Sequence, residues 1–179
     1  MIDLMSLNAA SREAFTARLG PVFENSRWVA EAVWQRRPFD TIENLHAAMM
    51  AVVLGQDEAS IVAFLNAHPD LAGHEAKQGT MTAESVEEQG TAGLDRLSAL
   101  EVAEMDELNR KYRVRHGFPF IVCVRHYTRL GIFAEFRHRI GCRSDDERRE
   151  ALRQIGLISR YRLDALFHHE ARQAVAPAA

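Results

Sequence analysis

The sequence predicts an all-α fold, a single-domain helical bundle, on three observations. Apolar residues recur at three- and four-residue spacing along most of the chain. Capping signatures, with Ser or Asp three residues ahead of Glu, open several of these stretches, and Gly stands near their ends. Only one run, "FPFIVCVR" from Phe118 to Arg125, is strand-like by propensity. It has no evident strand partner, so it is expected to be buried and irregular or helical.

Taken in order, "PVFENSRWVAEAVWQRRPF" places Pro21 in a first helical turn and Phe23, Trp28, Val29, Ala32 and Val33 largely on one face, and it stops before Pro38. "DTIENLHAAMMAVVLG" offers Asp40 with Glu43 as a capping box, apolar Ile42, Leu45, Met49 and Val53, and Gly55 as a stop. "DEASIVAFLNAH" is a short helix with acids in its first turn. From Gly73 to Thr82 the chain is polar and reads as a loop. A helical pattern returns near "SVEEQGTAGLDRL" and continues through "SALEVAEMDELNRKYRVRHG", with Leu97, Leu100 or Glu101, Met105, Leu108 and Tyr112 at helical spacing. "YTRLGIFAEFRHRIG" and "SDDERREALRQIGLISRYRLDALFHH" are two further amphipathic helices, the second opening with Ser144 and Glu147 at capping-box spacing. The expected division is one helical domain over residues 1–170 and a flexible tail over 171–179.

Composition narrows the function classes. A chain of 179 residues suits one domain with a real hydrophobic core. The formal net charge of -3 gives no electrostatic case for nucleic acid or an acidic membrane as partner. The longest apolar run, "AAMMAVVLG", falls well short of the ~20 residues a spanning helix needs. Cys123 and Cys142 form no C-x-x-C pair and follow no secretory leader, so the expected location is cytoplasmic and the thiols reduced.

Three stretches could carry chemistry, and each also has a plain structural reading. His68-Pro69-Asp70 is either a helix exit, since Pro cannot continue a helix and His suits its C-terminal dipole, or an imidazole held as a general acid/base on a stiffened backbone. Ser85-x-x-Glu88-Gln89 reads first as a capping box, but Gly90 and Gly93 follow, two residues that weaken a helix by ~1 kcal/mol each. Glycines there would let something approach the backbone closely. "HGFPFIV", residues 116–122, is either a helix stop at Gly117 followed by a hydrophobic plug, or irregular backbone whose unpaired amides hold a polar ligand. His46, His138, His168 and His169 lack metal-ligand spacing, so no metal site is expected. No Gly-rich phosphate loop, G-x-S-x-G elbow or H-E-x-x-H motif occurs.

Together the stretches say more. "AHPDLAG", then "SVEEQGTAGL", then "LNRKYRVRHGFPFIV", in that order and separation, resemble the family of 2-oxo-4-hydroxy-4-carboxy-5-ureidoimidazoline (OHCU) decarboxylases, which act between urate and allantoin. "FENSRWVAEAVWQRRPF" and "ERREALRQIGLISRYRLDAL" support the likeness, which runs from about residue 4 to 167. The resemblance implies an all-α, cofactor-free, homodimeric carboxy-lyase acting on a small molecule. It implies His68 and Glu88 as catalytic, Pro69 as pocket floor, and Ser85 and Gln89 as hydrogen-bonding partners of the substrate. It further implies the backbone at Phe120, Ile121 and Val122 around the ureido arm, with Phe118 as an apolar wall. His116 stands where the family more often has Phe, and Arg27 where it often has Pro. The competing expectation is a non-catalytic helical module that binds a purine-catabolism metabolite.

Overall fold

Capping chemistry sets where the helices begin, and in several places it shifts them from the periodicity-based expectation. The computed structural model describes residues 3–173; the side chains of residues 77 and 168–173, and all of residues 174–179, lie outside that description. The described residues hold ten α-helices and four single 3-10 turns and no strand, which makes the chain all-α as expected. By proximity it falls into two compact units, Met1–Ile61 with Gly156–Ala179, and Val62–Ile155.

In the first unit α1 (Leu4–Asn8) is capped by Asp3 and α2 (Arg12–Leu19) by Ser11, each side chain accepting from an amide three residues on. Pro21 opens a 3-10 turn, Gly20–Val22, and not the expected long helix. Asn25, at φ 45°, holds the left-handed backbone that Asn tolerates and a helix does not, so α3 (Arg27–Val33) starts only after it. That later start turns Val29, Ala30 and Val33 inward and leaves Ala32 exposed, correcting the expected face. For α4 (Ile42–Leu54) the cap is Thr41, whose hydroxyl accepts from the Asn44 amide at 3.1 Å, and not Asp40. Glu43 instead accepts from Arg160 at 2.7 Å. Leu45, Met49, Val52 and Val53 form the buried side of α4. The buried Arg162–Glu24 pair, 2.9 Å apart, ties the C-terminal helix to the turn before α3.

The helix α5 (Glu58–Asn66) leads into the second unit. The segment expected as a loop contains α6 (His74–Gln78), closed by Gly79 at φ 67°, a conformation that suits a residue without Cβ. Thr82 caps α7 (Ala83–Thr91), so Ser85 is the third residue of the helix and no capping box forms with Glu88. The expected continuous helix breaks after Thr91. Gly93 at φ 70° turns the chain into a 3-10 turn, Leu94–Arg96, and Ser98 with Glu101 makes a true capping box that restarts it as α8 (Ala99–His116). Leu97 therefore lies outside the helix and Leu100 is 85% exposed, while Met105, Leu108, Asn109, Tyr112 and His116 form the buried stripe.

Residues 118–123 are buried and irregular, as expected, and end in a 3-10 turn, Val124–His126. Two helices follow, α9 (Arg129–Ile140) and α10 (Ser144–Gln173). Ser144 and Glu147 do not form the expected box: the Ser144 hydroxyl meets His116 and the Glu147 carboxylate meets Arg139. The helix runs through Gln173, three residues into the stretch expected as tail; the rest of that stretch lies outside the described residues. No single described helix is long and apolar enough to cross a membrane.

Candidate active site

Every site residue expected from the sequence lies in the unit Val62–Ile155. The chain leaves α5 with the His68 amide donating to Leu65 O at 3.2 Å, so the helix-exit reading of His68-Pro69 is correct as local structure. The ring is nonetheless buried, with 8% of the residue exposed, and meets the Phe64 ring edge-to-face at 5.6 Å. Its Nδ1 lies 3.3 Å from Phe64 O. A carbonyl can only accept, so this contact places the proton on Nδ1 and leaves Nε2 as the lone-pair nitrogen of the neutral ring.

The residues after His68 are held from several sides. Asn66 donates from Nδ2 to Gly117 O at 2.9 Å. Arg113 on α8 donates from Nε to both Asp70 oxygens, at 2.9 and 3.1 Å, and from Nη1 to Asn66 Oδ1 at 3.0 Å. Burial pushes the Asp70 carboxyl above its ordinary range, against the pull of the Arg113 charge. Asn109, also on α8, donates to Leu71 O at 3.0 Å. Ala72 sits at φ 46°, unusual for a residue with a side chain, and its amide donates to Gln89 Oε1 at 2.8 Å. Gly73 closes the turn, where an added Cβ would lie 2.5 Å from the Asp70 Cβ.

That bond to Ala72 makes α7 the partner of the His68 segment. Ser85 and Gln89, four residues apart on one helical face, are both buried, and Glu88 beside them is half-buried. With its Oε1 committed to Ala72, Gln89 turns Nε2 to Met81 Sδ at 3.2 Å, a weak thioether acceptor. The same helix packs against the turn Val124–His126. Burial pushes the Cys123 thiol up, and the nearby Glu88 charge adds to the rise, so Glu88 lies within electrostatic reach of the 118–123 segment.

The 118–123 segment is itself fixed by two helices. Arg139 on α9 donates from Nη1 to Ile121 O at 2.9 Å and from Nε to the Glu147 carboxylate at 2.6 Å, and its guanidinium lies 4.6 Å over the Phe120 ring. Gln154 on α10 accepts from the Cys123 amide at 2.8 Å. Phe120 stacks on Phe136 with centroids 3.9 Å apart, and both Phe118 and Phe120 meet Tyr112 edge-on. Among the described residues the amides of Ile121 and Val122 and the carbonyl of Val122 make no hydrogen bond, although both residues are about 96% buried. His116 is taken up by Ser144 Oγ at 3.0 Å and Arg139 O at 3.2 Å.

The structure thus links His68 and Pro69 to Gln89 through the loop at Ala72, and Glu88 to the 118–123 segment. Reasoning from the sequence missed Asn109, Arg113, Arg139 and Gln154. Asn109 had a signal, since it lies four residues after Met105 on the predicted apolar stripe. Arg139 and Gln154 had none beyond their places in amphipathic helices. Among the described residues no group of three His, Cys, Asp or Glu side chains could hold a metal ion.

The family model of OHCU decarboxylase matches residues 8–164. The 2-oxo-4-hydroxy-4-carboxy-5-ureidoimidazoline decarboxylase of Mus musculus is 35% identical over 174 residues, covering 96% of this chain and 98% of the mouse protein. That of Halalkalicoccus jeotgali is 37% identical over 165 residues, covering 92% of each chain. Among solved structures, an (S)-allantoin synthase superposes with a TM-score of 0.73 at 28% identity, over 92% of this chain and 54% of the other. With a match spanning both units and every residue of the candidate site, the chain belongs to the OHCU decarboxylase family.

Proposed function

We propose that this protein is a carboxy-lyase that converts OHCU to (S)-allantoin in urate degradation without a cofactor, with His68 handling the proton. The observation that carries the reading is the buried His68 on a loop whose strained Ala72 is tied to Gln89 on α7, a helix that also packs against the turn directly after the buried, unpaired backbone groups of Val122. The substrate bears a carboxylate and a hydroxyl on one ring carbon, next to a carbon–nitrogen double bond. When the bond to the carboxylate breaks and CO2 leaves, its electron pair flows into that double bond, so no external electron sink is needed. The pair forms a double bond between the two ring carbons as the C=N electrons move to nitrogen, which takes up a proton. The hydroxyl proton then leaves as that carbon becomes a carbonyl, and a proton must reach the neighbouring ring carbon, the one that belonged to the C=N bond, on one face only. His68 presents a titratable ring from a fixed backbone, and Glu88 supplies a carboxylate that orients the substrate hydroxyl or stabilises the charged imidazole. Gln89 Nε2 exchanges its thioether partner for a substrate oxygen, Ser85 adds a hydroxyl, and Pro69 floors the pocket. Backbone at Phe120, Ile121 and Val122 takes the ureido arm, with Phe118 as apolar wall.

The exposed Leu100, Val114 and Leu130, at 85, 79 and 76%, support a homodimer in which a second copy covers them. Cys123 and Cys142 are free thiols, which supports a reducing, cytoplasmic setting. The deciding experiment supplies freshly generated OHCU in D2O. The wild type should release one enantiomer of allantoin carrying one deuterium at the ring stereocentre, whereas the spontaneous reaction gives both. His68→Asn should fold, still bind allantoin and lose about 100- to 10,000-fold in turnover, because Asn donates a hydrogen bond but does not titrate. Racemic wild-type product would favour the non-catalytic binding module instead.

A further inference from the structure

A trans peptide points its C=O and N–H in opposite directions, and two successive peptide units of the 118–123 segment each have one end fixed. In the unit between Ile121 and Val122, Arg139 Nη1 holds the carbonyl at 2.9 Å, so the Val122 N–H points away from Arg139. In the unit between Val122 and Cys123, Gln154 Oε1 holds the amide at 2.8 Å, so the Val122 C=O points away from Gln154. Both of these freed groups belong to one residue, both lack a hydrogen bond among the described residues, and Val122 is only 4% exposed. Buried backbone polar groups rarely go unpaired in a folded protein, so this pair calls for a partner that is not part of the chain.

We propose that Arg139 and Gln154 are positioning residues, which orient the two peptide units so that Val122 offers an adjacent donor and acceptor to the N–H and C=O edge of a ureide. The inference rests on the decarboxylase reading above, and it assigns the two side chains a task that neither performs by touching substrate. Glu147 compensates the Arg139 charge from behind, and the Phe120 ring covers the guanidinium face, so Nη1 is held in one place. Gln154 is likewise fixed by donating from Nε2 to Glu150 Oε1 at 2.7 Å.

The test is solution NMR with carbonyl-13C isoleucine and 15N valine, which together mark only the Ile61–Val62 and Ile121–Val122 junctions of this sequence. In the wild type, (S)-allantoin should shift the Val122 amide signal and leave Val62 in place. Gln154→Leu removes the acceptor at similar volume. It should weaken allantoin binding and raise KM for OHCU about tenfold, the worth of one hydrogen bond, with kcat changed less than about threefold. Arg139→Lys keeps the charge beside Glu147 but not the forked reach to Ile121 O, and should give the same rise in KM even where Gln154→Leu fails to fold. Wild-type affinity and an unchanged Val122 shift in these variants would overturn the proposal. So would a fall in kcat with KM and allantoin affinity unchanged. A wild type that turns over OHCU without any Val122 response overturns the positioning role alone, whereas a wild type without turnover overturns the decarboxylase reading beneath it.

Discussion

Two irregular segments of the unit Val62–Ile155, one bonded to α7 and one leading into the turn that packs on it, are fixed by different kinds of interaction. The His68 segment is held by one partly exposed ion pair, Arg113–Asp70, with side chains 36% and 19% exposed, and by neutral hydrogen bonds in which Asn109 donates to Leu71 O, Gln89 accepts from the Ala72 amide and Asn66 donates to Gly117 O. The 118–123 segment is held by an ion pair, Arg139–Glu147, that is almost wholly buried. An exposed pair is screened by water and contributes little, whereas a buried charge that loses its partner is costly. The comparison teaches that the 118–123 segment leans on one buried charge pair, whereas the His68 segment spreads its support over weaker ties and is expected to adjust more readily.

The largest test breaks the rigid side. Glu147→Gln leaves Arg139 buried without a counter-charge and should lower stability by about 3–5 kcal/mol in urea denaturation. The double variant Arg139→Met/Glu147→Leu removes both charges and should recover most of that loss, yet it should not recover allantoin binding. Recovery of both would mean that the ion pair fixes the fold and not the orientation of Val122.

On the adjustable side, Asn109→Leu should cost about 1–3 kcal/mol, since the Leu71 carbonyl loses its buried donor. Hydrogen exchange should quicken at Leu71 and Ala72 before it quickens on α8. A uniform change across both would contradict the local role given to Asn109.

A smaller effect is expected for Arg113→Met, about 1 kcal/mol or less given the exposure of the pair. Raising salt in the wild type should reproduce part of it, and should leave the Arg139–Glu147 contribution nearly unchanged. A salt response of equal size in Arg113→Met would remove the Asp70 pair as its source.

The smallest effects are in pH dependence, and Asp70 in the His68 segment and His116 at the end of α8 should differ in sign. Burial lowers the His116 imidazole below its ordinary 6.5, so its contribution is present above pH 6.5 and is lost as pH falls through the folded value. Burial raises the Asp70 carboxyl above its ordinary 3.8, so its contribution is present below pH 3.8 and is lost as pH rises through the folded value. His116→Phe should therefore flatten the loss of stability on acidification below pH 6.5, and Asp70→Asn should steepen it. Parallel curves for all three proteins would refute both assignments.

Much of this was legible in the residues themselves. Apolar spacing gave the all-α class, and the ordered motifs around His68, Glu88 and Gln89 gave the family, because local periodicity and short motifs survive without knowledge of contacts. The irregular, buried character of 118–123 was legible too, since a β-branched run with no partner strand cannot pair its backbone in a sheet. Capping was read less well: Asp40, Ser85 and Ser144 each had a competitor one to three residues away or a tertiary partner. A cap is decided by which hydroxyl or carboxylate reaches the free amide, and spacing alone leaves that choice open.

By itself, then, the sequence determined the helical class and the family, since each is written in continuous stretches of chain, and it pointed to the residues proposed for the chemistry. Tertiary structure decided what those residues are tied to. Gln89 spends its oxygen on Ala72, seventeen positions earlier; Asn109 reaches back to Leu71; and Arg139 and Gln154 turn two peptide units around Val122. Such bonds join groups far apart along the chain, and they form only because packing brings a buried, unpaired polar atom to the one side chain able to satisfy it.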